Sequence, residues 1–117
     1  MAQLLVDRYS FSGVAYSGAK GLDREWCLTF EEGLPAPDMV IFLDIDPRVA
    51  ALRDEYGGER FEKVEFQGLV RSGFQQLRGD SWLWVDATRD KAEISAELLG
   101  AVAECIEAHC TSPVREM

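Results

Sequence analysis

Asp7 and Arg8 are the neighbouring residues of this chain best suited to phosphate chemistry. An arginine guanidinium offers a two-pronged donor for a phosphate, and an aspartate beside it can hold a metal-bound water or a second cation. The pair follows an apolar run at residues 3–6, and this order is typical of the carboxyl end of a buried strand. An ion pair that merely orients the next helix explains the same two residues equally well, so both interpretations stay open.

Two further arginines, Arg53 and Arg60, flank a flexible Gly-Gly loop, and Arg48 lies a little ahead of them. The stretch from residue 48 to residue 63 holds four basic and four acidic residues and therefore forms no basic patch. Composition alone favours a solvated corner between two helices over an anion site.

The elements that must position these residues alternate along the chain. Continuous apolar runs at residues 3–6, 38–45 and 82–85 predict three strands, and the second reads as buried on both faces of a parallel sheet. Apolar spacing, caps and breakers predict helices over residues 10–20, 23–30, 48–56, 62–78 and 90–109.

This alternation predicts an α/β fold, with a three-stranded parallel sheet, flanking helices and a single domain over residues 1–117. In such a sheet, the residues just after each strand line the ligand crevice. Here those residues are Asp7-Arg8-Tyr9, Asp44-Ile45-Asp46 and Asp86-Ala87-Thr88.

Composition narrows the classes of function. The chain has 117 residues with 12 Lys and Arg against 21 Asp and Glu, a formal net charge of −9 that argues against non-specific nucleic-acid binding. The longest apolar run, residues 39–43, is far too short to span a bilayer. No secretory leader opens the sequence, so we expect a cytoplasmic location, with the nucleus or mitochondrion as alternatives. The three cysteines match no zinc or redox motif and are expected to be reduced thiols.

Four stretches together resemble the thymidylate kinase family, most closely its eukaryote-like branch. They are DRYSFSGVAYSGAKG at residues 7–21, EWC at residues 25–27, GLPAPD at residues 33–38 and GGERFE…FQ at residues 57–67. The resemblance implies transfer of the γ-phosphate of ATP to dTMP, giving dTDP in nucleotide biosynthesis, with Mg²⁺ as the cofactor. It also implies a P-loop-kinase-type parallel sheet, of which this chain holds a part.

The resemblance assigns roles to residues near the DRY sequence. By position, Arg8 would grip the monophosphate and Asp7 would organise magnesium and the phosphates, which makes both of them catalytic candidates. Ser12 and Gly13 match the point where the chain passes close to the nucleotide. Tyr16 matches an aromatic position near the deoxyribose and base.

Further along the chain, the resemblance places Arg53 and Arg60 in a lid that closes over ATP, again as catalytic candidates. Phe61 stands where the family usually has tyrosine, so the ring is kept at the sugar and the hydroxyl is lost. Gln67 matches a glutamine that follows the lid, and the Ala87-Thr88 turn matches the one that borders the adenine.

The P-loop sequence G-x-x-x-x-G-K-[ST], which cradles ATP phosphates, does not occur in these residues. In the family that loop precedes the DRY strand, so we expect a P-loop half to be missing ahead of Met1 and the chain to be incomplete alone. Buried strands without their shared neighbour predict marginal stability, or association as a homodimer or with a complementary N-terminal segment. A truncated kinase, one half of a split kinase and a non-catalytic nucleotide-binding or interaction module are the alternatives.

Overall fold

Helices and strands alternate along the chain in a computed structural model that describes residues 3–53, 60–109 and 113–117, without the side chains of residues 53 and 60–62. In chain order the described elements are α1 (Ser10–Ala19), α2 (Arg24–Thr29), β1 (Val40–Asp44), α3 (Pro47–Arg53), α4 (Arg60–Leu77), β2 (Trp82–Asp86) and α5 (Lys91–His109). They fall into two compact units. The strand unit comprises the described parts of residues 1–7, 32–44 and 79–117, and the helical unit comprises those of residues 8–31 and 45–78.

The strand unit is built on two parallel strands. β1 and β2 pair in register from Val40 opposite Trp82 to Asp44 opposite Asp86. The rings of Phe42 and Trp84 stack at 4.3 Å between centroids, and the Trp82 side chain is buried. Cross-strand aromatic pairs of this kind stabilise a sheet. The α/β class and the parallel pairing predicted from the sequence are therefore confirmed for these two strands.

The third predicted strand, at residues 3–6, is not observed. These residues form no ladder, and Leu4 and Leu5 are 91% and 92% exposed. β1 also differs from the prediction of burial on both faces, because Leu43 is half exposed. A buried strand needs neighbours for its N–H and C=O groups and for both of its faces, and within the described residues the sheet has only two strands.

The helical unit is held together along α1 and α4. Val14 and Ala15 of α1 and Val70 of α4 are buried almost completely. Val70 lies in the centre of the apolar face that predicted this helix. α2 begins where its cap predicts, because the Asp23 side chain accepts a hydrogen bond from the Glu25 N–H at 3.3 Å. None of the helices in the described part of the chain is long and apolar enough to cross a membrane.

Gly73 of α4 lies close to α1. A Cβ at this position would lie 3.4 Å from Ala15, whereas a Cβ at Gly68 on the same helix would meet nothing within 4 Å. Overpacking at such a crossing costs about 2 kcal/mol, so we expect Gly73→Leu to lower the urea midpoint of unfolding clearly. Gly68→Leu is the matched control and should raise or hold that midpoint, since leucine is a better helix former than glycine. Equal midpoints for the two variants would contradict the close crossing.

Candidate functional site

Arg8 has the most unusual backbone of the predicted site residues. Its φ is +63°, in the left-handed region that costs a residue with a side chain about 1–2 kcal/mol relative to the right-handed one. Strained conformations of this kind cluster at ligand sites, where the surrounding structure holds them. A positive φ at Arg8 suits a ligand site, and the choice between phosphate binding and an ion pair at Asp7 and Arg8 stays a prediction.

An aromatic side chain lies next to the Arg8 guanidinium. The Arg8 guanidinium carbon lies 5.4 Å from the centroid of the Tyr16 ring, within the range of a cation–π contact. Tyr16 also neighbours Phe66 of α4, with ring centroids 6.1 Å apart and ring planes tilted by 53°. Gln67 follows Phe66 and is exposed. The helical unit thus brings together a cation, which suits a phosphate, and an aromatic ring, which suits the flat base of a nucleoside monophosphate.

The other predicted residues of this region lie on the first turns of α1. The Ser12 N–H donates to the Tyr9 carbonyl at 3.1 Å, which begins the helix, and Gly13 is exposed with open space above its Cα. The lid arginines and Phe61 fall at helix ends whose side chains lie outside the described residues, so their roles stay predictions. These are Arg53, Arg60 and Phe61.

In the strand unit, the turn after β2 is fastened by its own side chains. One oxygen of Asp86, Oδ1, accepts hydrogen bonds from the Thr88 N–H at 2.9 Å and from the Thr88 hydroxyl at 2.6 Å. The Ala87 N–H donates to the Asp44 carbonyl at the end of β1, at 2.8 Å. The hydrogen bonds from the Thr88 hydroxyl and N–H lower the pKa of the Asp86 carboxyl below its ordinary value of 3.8.

The lowered pKa of Asp86 predicts how stability depends on pH. Because ionised Asp86 is favoured in the folded chain, its contribution is fully present above the ordinary pKa of 3.8 and is lost as pH falls through the lower, folded-state pKa. We expect Asp86→Ala to have a lower urea midpoint than wild type at about pH 6, and the two midpoints to converge as pH falls below the folded-state pKa of Asp86. A gap that persists at low pH would mean that the carboxylate is not the group holding the turn.

Two arginine interactions were not predicted from the sequence. Arg89 bonds to Glu97 across the start of α5, with 2.6 Å between its terminal nitrogen and Oε1. Arg48 pairs with Asp46 at 3.1 Å beside a recess of about 240 Å³, which Arg71 also lines. Hydrogen bonds from Arg48 lower the pKa of Asp46, and those bonds raise the pKa of Arg48. The sequence contained a signal for the pair of Arg48 with Asp46, because the two residues are two positions apart. The pair of Arg89 with Glu97 could be found only from the geometry of the turn before α5.

Among the predicted site residues, Asp7 is the candidate for binding magnesium. Within the described residues, no group of three or more His, Cys, Asp and Glu side chains is arranged to hold a metal ion. Mg²⁺ is usually held by one or two carboxylates together with substrate phosphates and waters. The exposed carboxylate of Asp7 fits that donor set when a nucleotide supplies the remaining oxygens.

The chain is similar to known proteins over most of its length. The family model for thymidylate kinase matches residues 2–98. Thymidylate kinase of Schizosaccharomyces pombe is 45% identical over 105 residues, a match that covers 85% of this chain and 50% of the yeast protein. The Arabidopsis thaliana thymidylate kinase is 50% identical over 108 residues, covering 89% of this chain and 41% of the plant protein. This chain spans about half the length of the curated relatives it matches.

A solved structure agrees with the sequence matches. The thymidylate kinase of Candida albicans superposes with a TM-score of 0.72 at 26% sequence identity, covering 95% of this chain and 59% of that protein. Since similarity at this level extends to nearly all of the chain, the order of its elements follows that of a known kinase.

Proposed function

This chain belongs to the thymidylate kinase family, and on that premise we propose that it carries the dTMP-binding and lid part of a kinase. The reaction is transfer of the γ-phosphoryl group of ATP to dTMP, giving dTDP. The observation that carries the proposal is Arg8, held at a φ of +63° with its guanidinium beside the Tyr16 ring. A nucleoside monophosphate presents a phosphate and a flat base a few ångströms apart, and these two side chains match that pair of groups.

Phosphoryl transfer depends mainly on positioning and on neutralising charge. In the proposed function, the Arg8 fork binds the monophosphate and holds the accepting oxygen in place. Tyr16, braced by Phe66, packs against the sugar and base and keeps water from one side of the site. Arg53 and Arg60 supply positive charge from the lid as it closes, and Phe61 contributes its ring at the sugar.

The turn at Ala87 and Thr88 is proposed to border the adenine of ATP. Both N–H groups of this turn are used internally, by the Asp44 carbonyl and the Asp86 carboxylate. The turn therefore offers a base its carbonyl oxygens, which accept from the exocyclic amino group of adenine. A guanine would present an oxygen at the same place, and two acceptors facing each other repel.

Asp7 is proposed to take part in holding Mg²⁺ with the nucleotide phosphates. The bound ion would neutralise charge that develops on the phosphoryl group during transfer. The position of Asp7 next to Arg8 in the sequence supports this role.

A P-loop is proposed to come from a segment outside these 117 residues, since its sequence does not occur among them. A complementary N-terminal segment would supply it and give residues 3–6 a neighbour in the parallel sheet, whereas a second copy in a homodimer would cover residues 3–6 without supplying a P-loop. A non-catalytic module that binds nucleotide or a partner protein is the second candidate function. The cytoplasmic location expected from the sequence stays a prediction.

A binding measurement combined with a turnover measurement tests these alternatives. The chain is titrated with dTMP by calorimetry, and ADP formation is followed in a coupled assay with dTMP, ATP and magnesium, with and without the P-loop segment of a related kinase. Binding of dTMP and turnover upon adding the P-loop segment support the kinase. Binding without turnover in either mixture favours the non-catalytic module, and no dTMP binding in either mixture overturns the proposal.

A further inference from the structure

We propose that Glu97 is a positioning residue, which acts through Arg89 to fix the turn at residues 86–88 for the base of the phosphoryl donor. The inference rests on the proposed function, because that turn is where the adenine of ATP is placed. Neither residue was selected from the sequence, and their role follows from the bonds that they make around the turn.

Arg89 bridges the turn to the long helix α5. Its Nε donates to the carbonyl oxygen of Asp86 at 3.3 Å, and a terminal nitrogen donates to Oε1 of Glu97 at 2.6 Å. Each side chain of the pair is only about one-third exposed, at 34% for Arg89 and 37% for Glu97. A short, charge-assisted bond between partly buried groups fixes geometry better than a fully solvated pair does.

The bonds form a continuous series from the helix to the turn. Glu97 lies in the second turn of α5, Arg89 joins it to the Asp86 carbonyl, and the Asp86 carboxylate holds Thr88 through its N–H and hydroxyl. Without the Glu97 carboxylate, Arg89 would be free to turn toward solvent and its bond to the Asp86 carbonyl would weaken. The Thr88 carbonyl would then sample several directions and meet the adenine less often.

The competing explanation is that the ion pair only stabilises the start of α5. The two explanations differ at two amides in the strand unit. The Thr88 N–H reports the turn through its bond to Asp86, and the Ile94 N–H reports the first turn of α5 through its 3.1 Å bond to the Asp90 carbonyl. A positioning role affects the Thr88 amide selectively, whereas a helix-stabilising role affects Ile94 at least as much.

The first experiment is amide hydrogen exchange of the 117-residue chain by NMR without nucleotide. For Glu97→Ala we expect exchange at Thr88 to accelerate roughly fivefold with Ile94 unchanged, an effect on the scale of a partly buried ion pair. Glu97→Gln keeps an acceptor oxygen and should give a smaller change. Glu104→Ala removes the same charge from an exposed position of the same helix and should leave Thr88 unaffected. Unchanged exchange at Thr88, or equal acceleration at both amides, overturns the inference.

The second experiment separates this inference from the proposed function. Titration with ATP, followed by tryptophan fluorescence, should show Glu97→Ala binding ATP roughly fivefold more weakly, with dTMP affinity unchanged. If wild type binds no ATP while Thr88 exchange responds to Glu97→Ala, the adenine assignment fails and the fixing of the turn by Glu97 stands. If ATP binds equally well to both proteins, the positioning role in nucleotide binding is overturned.

Discussion

Replacing Arg8 with alanine is expected to weaken dTMP binding roughly a hundredfold, the loss of a two-pronged, charge-assisted contact to a phosphate. The backbone at Arg8 supports its assignment as a ligand-binding residue. A φ of +63° is kept although glycine would adopt it more easily, and the guanidinium is held next to the Tyr16 ring. Calorimetric titration with dTMP measures the change. Arg8→Lys should recover only part of the affinity, because an ammonium group cannot form the planar fork.

Two further variants separate ligand binding from folding at this position. Arg8→Gly should lose dTMP affinity as Arg8→Ala does, but without lowering thermal stability, since glycine adopts a positive φ without strain. Arg24→Ala is the matched control, because Arg24 is also an exposed arginine of the helical unit and bonds to Gln76 instead. It should bind dTMP as wild type does. An Arg8→Ala protein with unchanged dTMP affinity would return Arg8 to the role of an ion pair at a chain bend.

Local physics made most of the helices predictable. α4 follows from apolar residues that recur at helical spacing, and Val70 of that face is indeed buried. α2 follows from its cap at Asp23, and the stripe on α5 that includes Ile94 and Leu98 is less exposed than Leu99 beside it. Each of these features depends on residues within a few positions of one another, which is the range that a sequence pattern covers.

Features that depend on distant residues were not predictable. The strand pattern at residues 3–6 was sound as a local signal, but strand formation also requires a neighbour to complete the hydrogen-bond ladder. The isolated antiparallel bridge between Pro35 and Glu116 joins positions far apart in the chain, and nothing in either stretch indicates the other. The bond from Arg89 to Glu97 depends on how sharply the chain turns between β2 and α5. The positive φ of Arg8 went unnoticed because arginine is not a residue that favours it.

The exposed leucines at residues 3–6 are expected to make the wild-type chain self-associate at roughly tens of micromolar. Leu4 and Leu5 are 91% and 92% exposed and Val6 is 54% exposed, so three consecutive apolar side chains meet water. Their backbone has no ladder partner in the described part of the chain and can pair with a strand of another molecule. Apolar contact and backbone pairing therefore both favour association between copies of the chain at residues 3–6. A partner segment that covers these residues would remove both driving forces.

The double variant Leu4→Lys/Leu5→Lys tests this expectation, because lysines on an exposed strand oppose pairing by charge and by the cost of burying them. Sedimentation velocity over a concentration series should show wild type forming larger species and the double variant remaining a monomer. Leu99→Lys is the control, since Leu99 is 74% exposed but stands on a helix. It should associate as wild type does. If a P-loop segment of a related kinase suppresses association of the wild-type chain, residues 3–6 are the segment that it covers. If the wild-type chain stays monomeric at every concentration, the exposed side chains of residues 3–6 do not drive association, and no partner is required to cover them.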